Sequence, residues 1–183
     1  MAKVFKVGLI GCCHIAETYF RAHKYFNNFK ITKCADINQN AANKCAKINK
    51  IKAVTIKELL SDTDIKIILN LTIPVAHYKV AKQALLNGKH VYSEKPLAIN
   101  FHDGKKLIKL ANKKKLYVGN APDTFLGGGS QKSRDLLDKK VIGKVIFGNA
   151  IFAYPGIQSY HPDPESRLAN KGGGPGVEMG PHD

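Results

Sequence analysis

The stretch from Lys3 to Phe26, KVFKVGLIGCCHIAETYFRAHKYF, constrains this chain more than any other. Val4, Val7, Leu9 and Ile10 first alternate and then run together, as the apolar residues of a buried strand do. The strand turns abruptly through Gly8-Leu9-Ile10-Gly11-Cys12-Cys13. Ile15, Ala16, Tyr19, Phe20, His23 and Phe26 then fall on one face of a helix. A helix that starts straight from such a turn presents N–H groups and a partial positive charge, which together stabilise a pyrophosphate. The stretch therefore predicts the start of a dinucleotide-binding unit, with Gly8, Gly11, Cys13, His14 and Ile15 as the cofactor-binding residues. The usual spacing is G-x-G-x-x-G/A, and Gly11-Cys12-Cys13-His14-Ile15-Ala16 puts Cys13 where the second glycine belongs.

Strand and helix alternate from there on. Lys30 to Ala35 reads as a second strand that ends at Asp36. An acid about 20 residues after the glycine turn, at a second strand's end, can accept both ribose hydroxyls of an adenosine and repels a 2′-phosphate. No arginine follows Asp36, so NAD is favoured over NADP. The other reading of Asp36 is a cap for the helix from about Gln39 to Ile48. Ala53-Val54-Thr55 reads as a short third strand and Ile56 to Ser61 as a short helix. Ile65 to Leu71 is a continuous apolar run, as expected of a parallel strand covered on both faces. Thr72-Ile73-Pro74 breaks it, and His77 to Asn87 is helical up to Gly88. His90 to Ser93 is a fifth strand, Asn100 caps a helix reaching Asn112, and Leu116 to Gly119 is a sixth strand. Short connections between alternating elements predict an α/β fold, a doubly wound parallel sheet with right-handed crossovers.

The rhythm changes near Asn120. Ser130 to Lys139 reads as one helix and Lys144 to Ala153 as a longer strand, followed by a loop rich in Pro and Gly to Gly176. The expected division is a nucleotide-binding domain over residues 1–120 and an incomplete second α/β domain over residues 121–183. A domain that opens with one helix, one strand and a long loop leaves its sheet edge without a partner. The chain is therefore expected to be cut short relative to its architecture.

Charge and cysteines exclude several classes. The net charge is +15, but the lysines are spread along the chain and only Arg21, Arg134 and Arg167 are arginine. Nucleic-acid binders concentrate basic residues on one element and use Arg for base edges, so no nucleic-acid partner is expected. Such a charge draws anionic ligands weakly, cofactor phosphates included. No apolar run approaches the roughly 20 residues of a membrane span, and MAKVFKV has no leader pattern, so a cytoplasmic location without a membrane partner is expected. Cys12, Cys13, Cys34 and Cys45 contain no C-x-x-C pair, so no metal is expected and the thiols read as reduced.

Several stretches together resemble the Gfo/Idh/MocA family of sugar and polyol oxidoreductases. They are GLIGCCHIA at the start, NGKHVYSEKPLA from Asn87 to Ala98, APDTFLGGG from Ala121 to Gly129, and GGGPGVEMGPH from Gly172 to His182. The resemblance implies a Rossmann domain followed by an α/β domain with a large open sheet. It also implies an NAD(P)-dependent hydride transfer at a CH–OH group of a sugar or polyol, with homo-oligomers in full-length relatives. Lys95, which follows the fifth strand, is the implied proton-handling residue, and its peptide with Pro96 is implied to be cis. Glu94 would contact the cofactor or orient Lys95. Thr72, Pro74, His77 and Asn120 are implied cofactor contacts, and His161 is a weaker candidate near the nicotinamide or substrate.

His182 and Glu178 are four residues apart on one helix face, an arrangement in which a carboxylate steadies a histidine proton acceptor. The family usually has Asp where Glu178 stands, so the longer side chain displaces its carboxylate. As metal ligands the pair lacks a third partner. The alternative to an active dehydrogenase is a nucleotide-binding protein without catalysis, either regulatory or an inactive fragment, favoured by Cys13, Glu178 and the expected truncation. A Cβ at Cys13 is expected to crowd the pyrophosphate or strain the turn. The Cys13→Gly variant should bind NAD more tightly by isothermal titration, and unchanged affinity would show Cys13 to be harmless.

Overall fold

The computed structural model describes residues 4–149, 151 and 153. They fall into two units, Met1–Ala121 and Pro122–Asp183. In the first, six strands form one parallel sheet: β1 (Phe5–Ile10), β2 (Phe29–Ala35), β3 (Lys52–Ala53), β4 (Ile65–Asn70), β5 (His90–Ser93) and β6 (Val118–Asn120). Their order is β3-β2-β1-β4-β5-β6. The order reverses between β1 and β4, which opens a crevice at the carboxyl ends of those strands, where ligands bind in sheets of this kind. Among the described residues no helix is long and apolar enough to cross a membrane.

The helices are α1 (His14–Ala22), α2 (Gln39–Asn49), α3 (Ile56–Ser61), α4 (Pro74–Leu86) and α5 (Phe101–Lys114). They cover both sheet faces and divide the core in two. On one face Leu59, Leu60, Val80, Ala84, Leu85, Leu107 and Ala111 from α3, α4 and α5 pack on Ile10, Ile65, Ile68 and Val91. On the other, Ala16, Phe20 and Ala46 from α1 and α2 pack on Val7, Leu9, Ile31, Cys34 and Leu69. Adjacent strand residues such as Ile68 and Leu69 enter opposite halves because side chains alternate across a strand. Both faces are therefore apolar, which explains the unbroken run through β4.

Boundaries differ from the sequence reading where caps decide them. Thr55 is not in β3 but N-caps α3: its hydroxyl accepts the Glu58 N–H, and Glu58 accepts the Thr55 N–H in return. The apolar run ends before Thr72-Ile73-Pro74 as expected, but α4 begins at Pro74 and not at His77, because proline's fixed φ and missing N–H suit a first helical position. Leu116 is not in β6, since Lys115 ends α5 in the left-handed region and the Leu116 N–H bonds to Ala111 O. α1 stops at Ala22, a 3₁₀ turn covers His23–Tyr25, and Phe26 is exposed rather than on the buried face.

The second unit contains a 3₁₀ turn, Thr124–Leu126, and α6, Gly128–Asp138. Exposed pairs at helical spacing, Arg134–Asp138 and Lys139–Asp135, lie along α6. The strand expected over residues 144–153 is not formed in its described stretch, residues 144–149, which carries no strand. Apolar residues there are exposed, Ile146 and Phe147 among them, and pair with no neighbouring strand among the described residues. An apolar run becomes a strand only where a partner takes up its backbone groups.

Candidate dinucleotide and active site

The site is built on the carboxyl ends of β1, β2, β4 and β5. Gly11 leaves β1 with φ 101°, a conformation that disfavours any side chain. A Cβ there would lie 2.5 Å from Leu71 O and 2.7 Å from Thr72 N. The turn thus passes directly against the backbone after β4, and the two are joined by Leu71 N–H to Ile10 O at 2.8 Å. Gly8 has a different reason. It lies inside β1, where a Cβ would meet Leu59 Cδ1 at 2.8 Å, so it serves helix–sheet packing.

Asp36 follows β2 and faces the turn. Its Oδ2 accepts the Cys12 N–H at 2.7 Å and its Oδ1 accepts the Asn38 N–H at 2.8 Å. The cap of α2 is Asn38, whose side chain accepts from Asn40 and Ala41, so Asp36 is not the cap. Its carboxylate is locked to the glycine turn and keeps lone pairs for a further donor.

Cys13 sits in the turn without backbone strain, since the non-glycine residues with positive φ among those described are Lys50, Lys115 and Lys140. That removes the strain part of the expectation for Cys13 and leaves crowding. Its thiol donates to Leu71 O at 3.2 Å. Desolvation raises its pKa, and the N–H groups of Ile15, Cys13 and Ala16 act against that shift. The sulfur thus shares the N–H groups at the start of α1 that an anion would use. His14 and Ile15 form the first positions of α1.

A second network holds the loops after β4 and β5. Asn70 is fully buried and donates through Nδ2 to Ser93 Oγ at 2.9 Å and His77 O at 3.0 Å, while its Oδ1 accepts from Thr72 Oγ1 at 2.7 Å. His77, 1% exposed, sets its two ring nitrogens against backbone carbonyls, Pro96 O at 2.6 Å and Thr72 O at 2.8 Å. It ties the post-β4 loop to the post-β5 loop and so positions both. Asn120 ties β6 to the end of β5, donating to Ser93 O at 2.9 Å and Glu94 O at 3.0 Å.

Glu94 completes the connection. Its Oε1 accepts from Tyr19 of α1 at 2.9 Å, and its Oε2 accepts the Lys95 N–H at 3.1 Å. The Lys95–Pro96 peptide is cis. Glu94 therefore holds the backbone of Lys95. Glu178, His182 and His161 lie outside the described residues.

Three contributors escaped sequence reading. Asn70 was readable as the one polar residue near the end of an apolar run. Tyr19 carried no signal beyond its helix face, and the meeting of Cys12, Cys34 and Cys45 carried none at all, because their spacing follows no metal-binding pattern.

This strand order, a glycine turn against the switch point and an acid after β2 define a dinucleotide-binding α/β domain. The chain matches the Gfo/Idh/MocA model, described as an oxidoreductase family with an NAD-binding Rossmann fold, over residues 5–121, and it belongs to that family. It is 28% identical over 154 residues to inositol 2-dehydrogenase/D-chiro-inositol 3-dehydrogenase of Lactiplantibacillus plantarum, covering 78% of this chain and 42% of that protein. It is 36% identical over 99 residues to trans-1,2-dihydrobenzene-1,2-diol dehydrogenase of Xenopus laevis, covering 54% of this chain and 30% of that one. The chain thus spans less than half the length of either relative. Its fold is similar to that of a 3-ketoreductase from Actinomadura kijaniata solved with NADP and TDP-benzene, at TM-score 0.72 and 25% identity over 78% of this chain and 44% of that one. A structure from Sinorhizobium meliloti, described as a myo-inositol dehydrogenase, matches in fold at TM-score 0.79 and 19% identity, over 98% of this chain and 53% of that one.

Replacing Gly11 by alanine should destabilise the chain by about 1–3 kcal/mol in urea unfolding, from the left-handed backbone and the contact with Leu71 together. A change below about 0.5 kcal/mol would mean that the turn relaxes away from β4.

Proposed function

We propose that this chain binds NAD in preference to NADP in the crevice between β1 and β4, as part of an oxidoreductase acting on a CH–OH group of a sugar or polyol. The observation that carries the reading is the Asp36 carboxylate, fixed at the end of β2 by the Cys12 N–H. There it would accept from the ribose hydroxyls of the adenosine half and repel a 2′-phosphate. The residues present suit a dinucleotide: Gly11 keeps the turn free of a Cβ, and the N–H groups at the start of α1 would meet the pyrophosphate beside Cys13. Thr72 and Pro74, after β4, would border the cofactor's path.

When bound, the nicotinamide supplies the hydride-transfer chemistry. The chain's own part is to hold the substrate hydroxyl and move its proton. Lys95 is suited to hydrogen-bond that oxygen, with Glu94 fixing its backbone and His77 holding the carbonyl of Pro96. His182 would act as the proton acceptor and Glu178 would steady it. The inositol and diol dehydrogenases among the relatives support a carbinol substrate.

Thermal-shift titration of the full chain should show stabilisation by NAD, with NADP about tenfold weaker, near 1.4 kcal/mol. Asp36→Ser should narrow or reverse that preference, and stabilisation by neither dinucleotide would sink the proposal. Across a panel of inositols and sugars, Lys95→Met should lower kcat by about 100-fold or more while leaving NAD binding intact. Undiminished turnover would remove Lys95 from the chemistry.

A further inference from the structure

Cys12, Cys34 and Cys45 come from the glycine turn, the end of β2 and the middle of α2. Their three sulfur atoms all lie within 4.8 Å of one another. Cys34 is buried, while Cys12 and Cys45 are partly buried, and all three are free thiols. They sit in the half of the core under α1 and α2, with Cys34 at its centre and Cys12 and Cys45 packed against it.

The spacing is one that a single metal ion can bridge. Sulfurs bound at about 2.3 Å to one trigonal ion stand about 4 Å apart. Small side-chain rotations would bring these three to that distance. The polar contacts around them are weak and long: Cys12 Sγ to Ala35 O at 3.7 Å, Cys34 Sγ to Ala42 O at 3.5 Å, and Asn49 Nδ2 to Cys45 Sγ at 3.8 Å. Little is lost by rotating them.

We propose that Cys12, Cys34 and Cys45 form a three-thiolate site for one soft d10 cation, Cu+ or Zn2+. Thiolates select such ions, and three sulfurs satisfy Cu+ outright, whereas Zn2+ would add a water from the partly exposed side. Cys13, the next residue, directs its sulfur to Leu71 O and stands apart from the group. It is the internal control.

The test uses the reduced full chain under anaerobic conditions. Cu+ is titrated against a chromophoric Cu+ chelator, and Zn2+ against a zinc indicator in a parallel series. One equivalent of either ion withheld per chain is the expected result. Cys12→Ser and Cys45→Ser should each weaken that binding by more than the roughly 10–100-fold that loss of an outer-shell partner produces, and Cys13→Ser should leave it unchanged. Cys12 and Cys45 are chosen because both are partly exposed, and circular dichroism checks their folding. Failure of the unmodified chain to withhold either ion overturns the proposal whatever the variants do. So does undiminished binding by folded Cys12→Ser or Cys45→Ser. No readout involves a dinucleotide, so this result and the cofactor reading stand or fall separately.

Discussion

The contact between Gly11 and the backbone of Leu71 and Thr72 governs the arrangement at the crevice. With a Cβ excluded, the turn after β1 lies directly on the chain leaving β4. That closeness lets Ile10 O accept the Leu71 N–H and lets the Cys13 thiol reach Leu71 O. It also sets the Cys12 N–H toward Asp36 on the other side. One residue without a side chain thus brings three strand ends into a common register. Its replacement would disturb the geometry of all of them together, since packed backbone cannot yield by rotamer changes.

The other half of the site depends on buried polar groups. Asn70 and His77 are buried, and their hydrogen bonds join β4, α4, β5 and the loops after β4 and β5. Leaving one such group without a partner costs about 1–3 kcal/mol, so the network tolerates few alternative loop positions. It therefore fixes the course of Glu94-Lys95-Pro96 as well as contributing stability. Glu94 extends this to α1 through Tyr19, which links the loop after β5 to the helix that would face the phosphates.

The same packing gives the cysteines their meaning. Cys12 lies in the turn because Gly11 turns there, and Cys34 and Cys45 face it because β2 and α2 close that side of the core. A single fold constraint thus serves both the crevice and the thiol cluster beneath its edge.

Much of this was legible along the chain. Apolar runs of strand length, helical periodicities and short connections dictate a doubly wound sheet, because both faces of every central strand need covering. Asn100 caps α5 as local chemistry predicts, and Asp36 follows β2, where the chain places an acid. What only the tertiary structure decided is the partnership between distant residues. That Gly8 packs under Leu59, that His77 binds two carbonyls, and that three cysteines without a motif meet all depend on which strand ends lie side by side. The stretch over residues 144–149 shows the converse, for its apolar residues specify a strand only when another strand is there to accept its hydrogen bonds. Sequence determined the elements because propensity and periodicity are local; structure decided the site because its geometry is a property of neighbours.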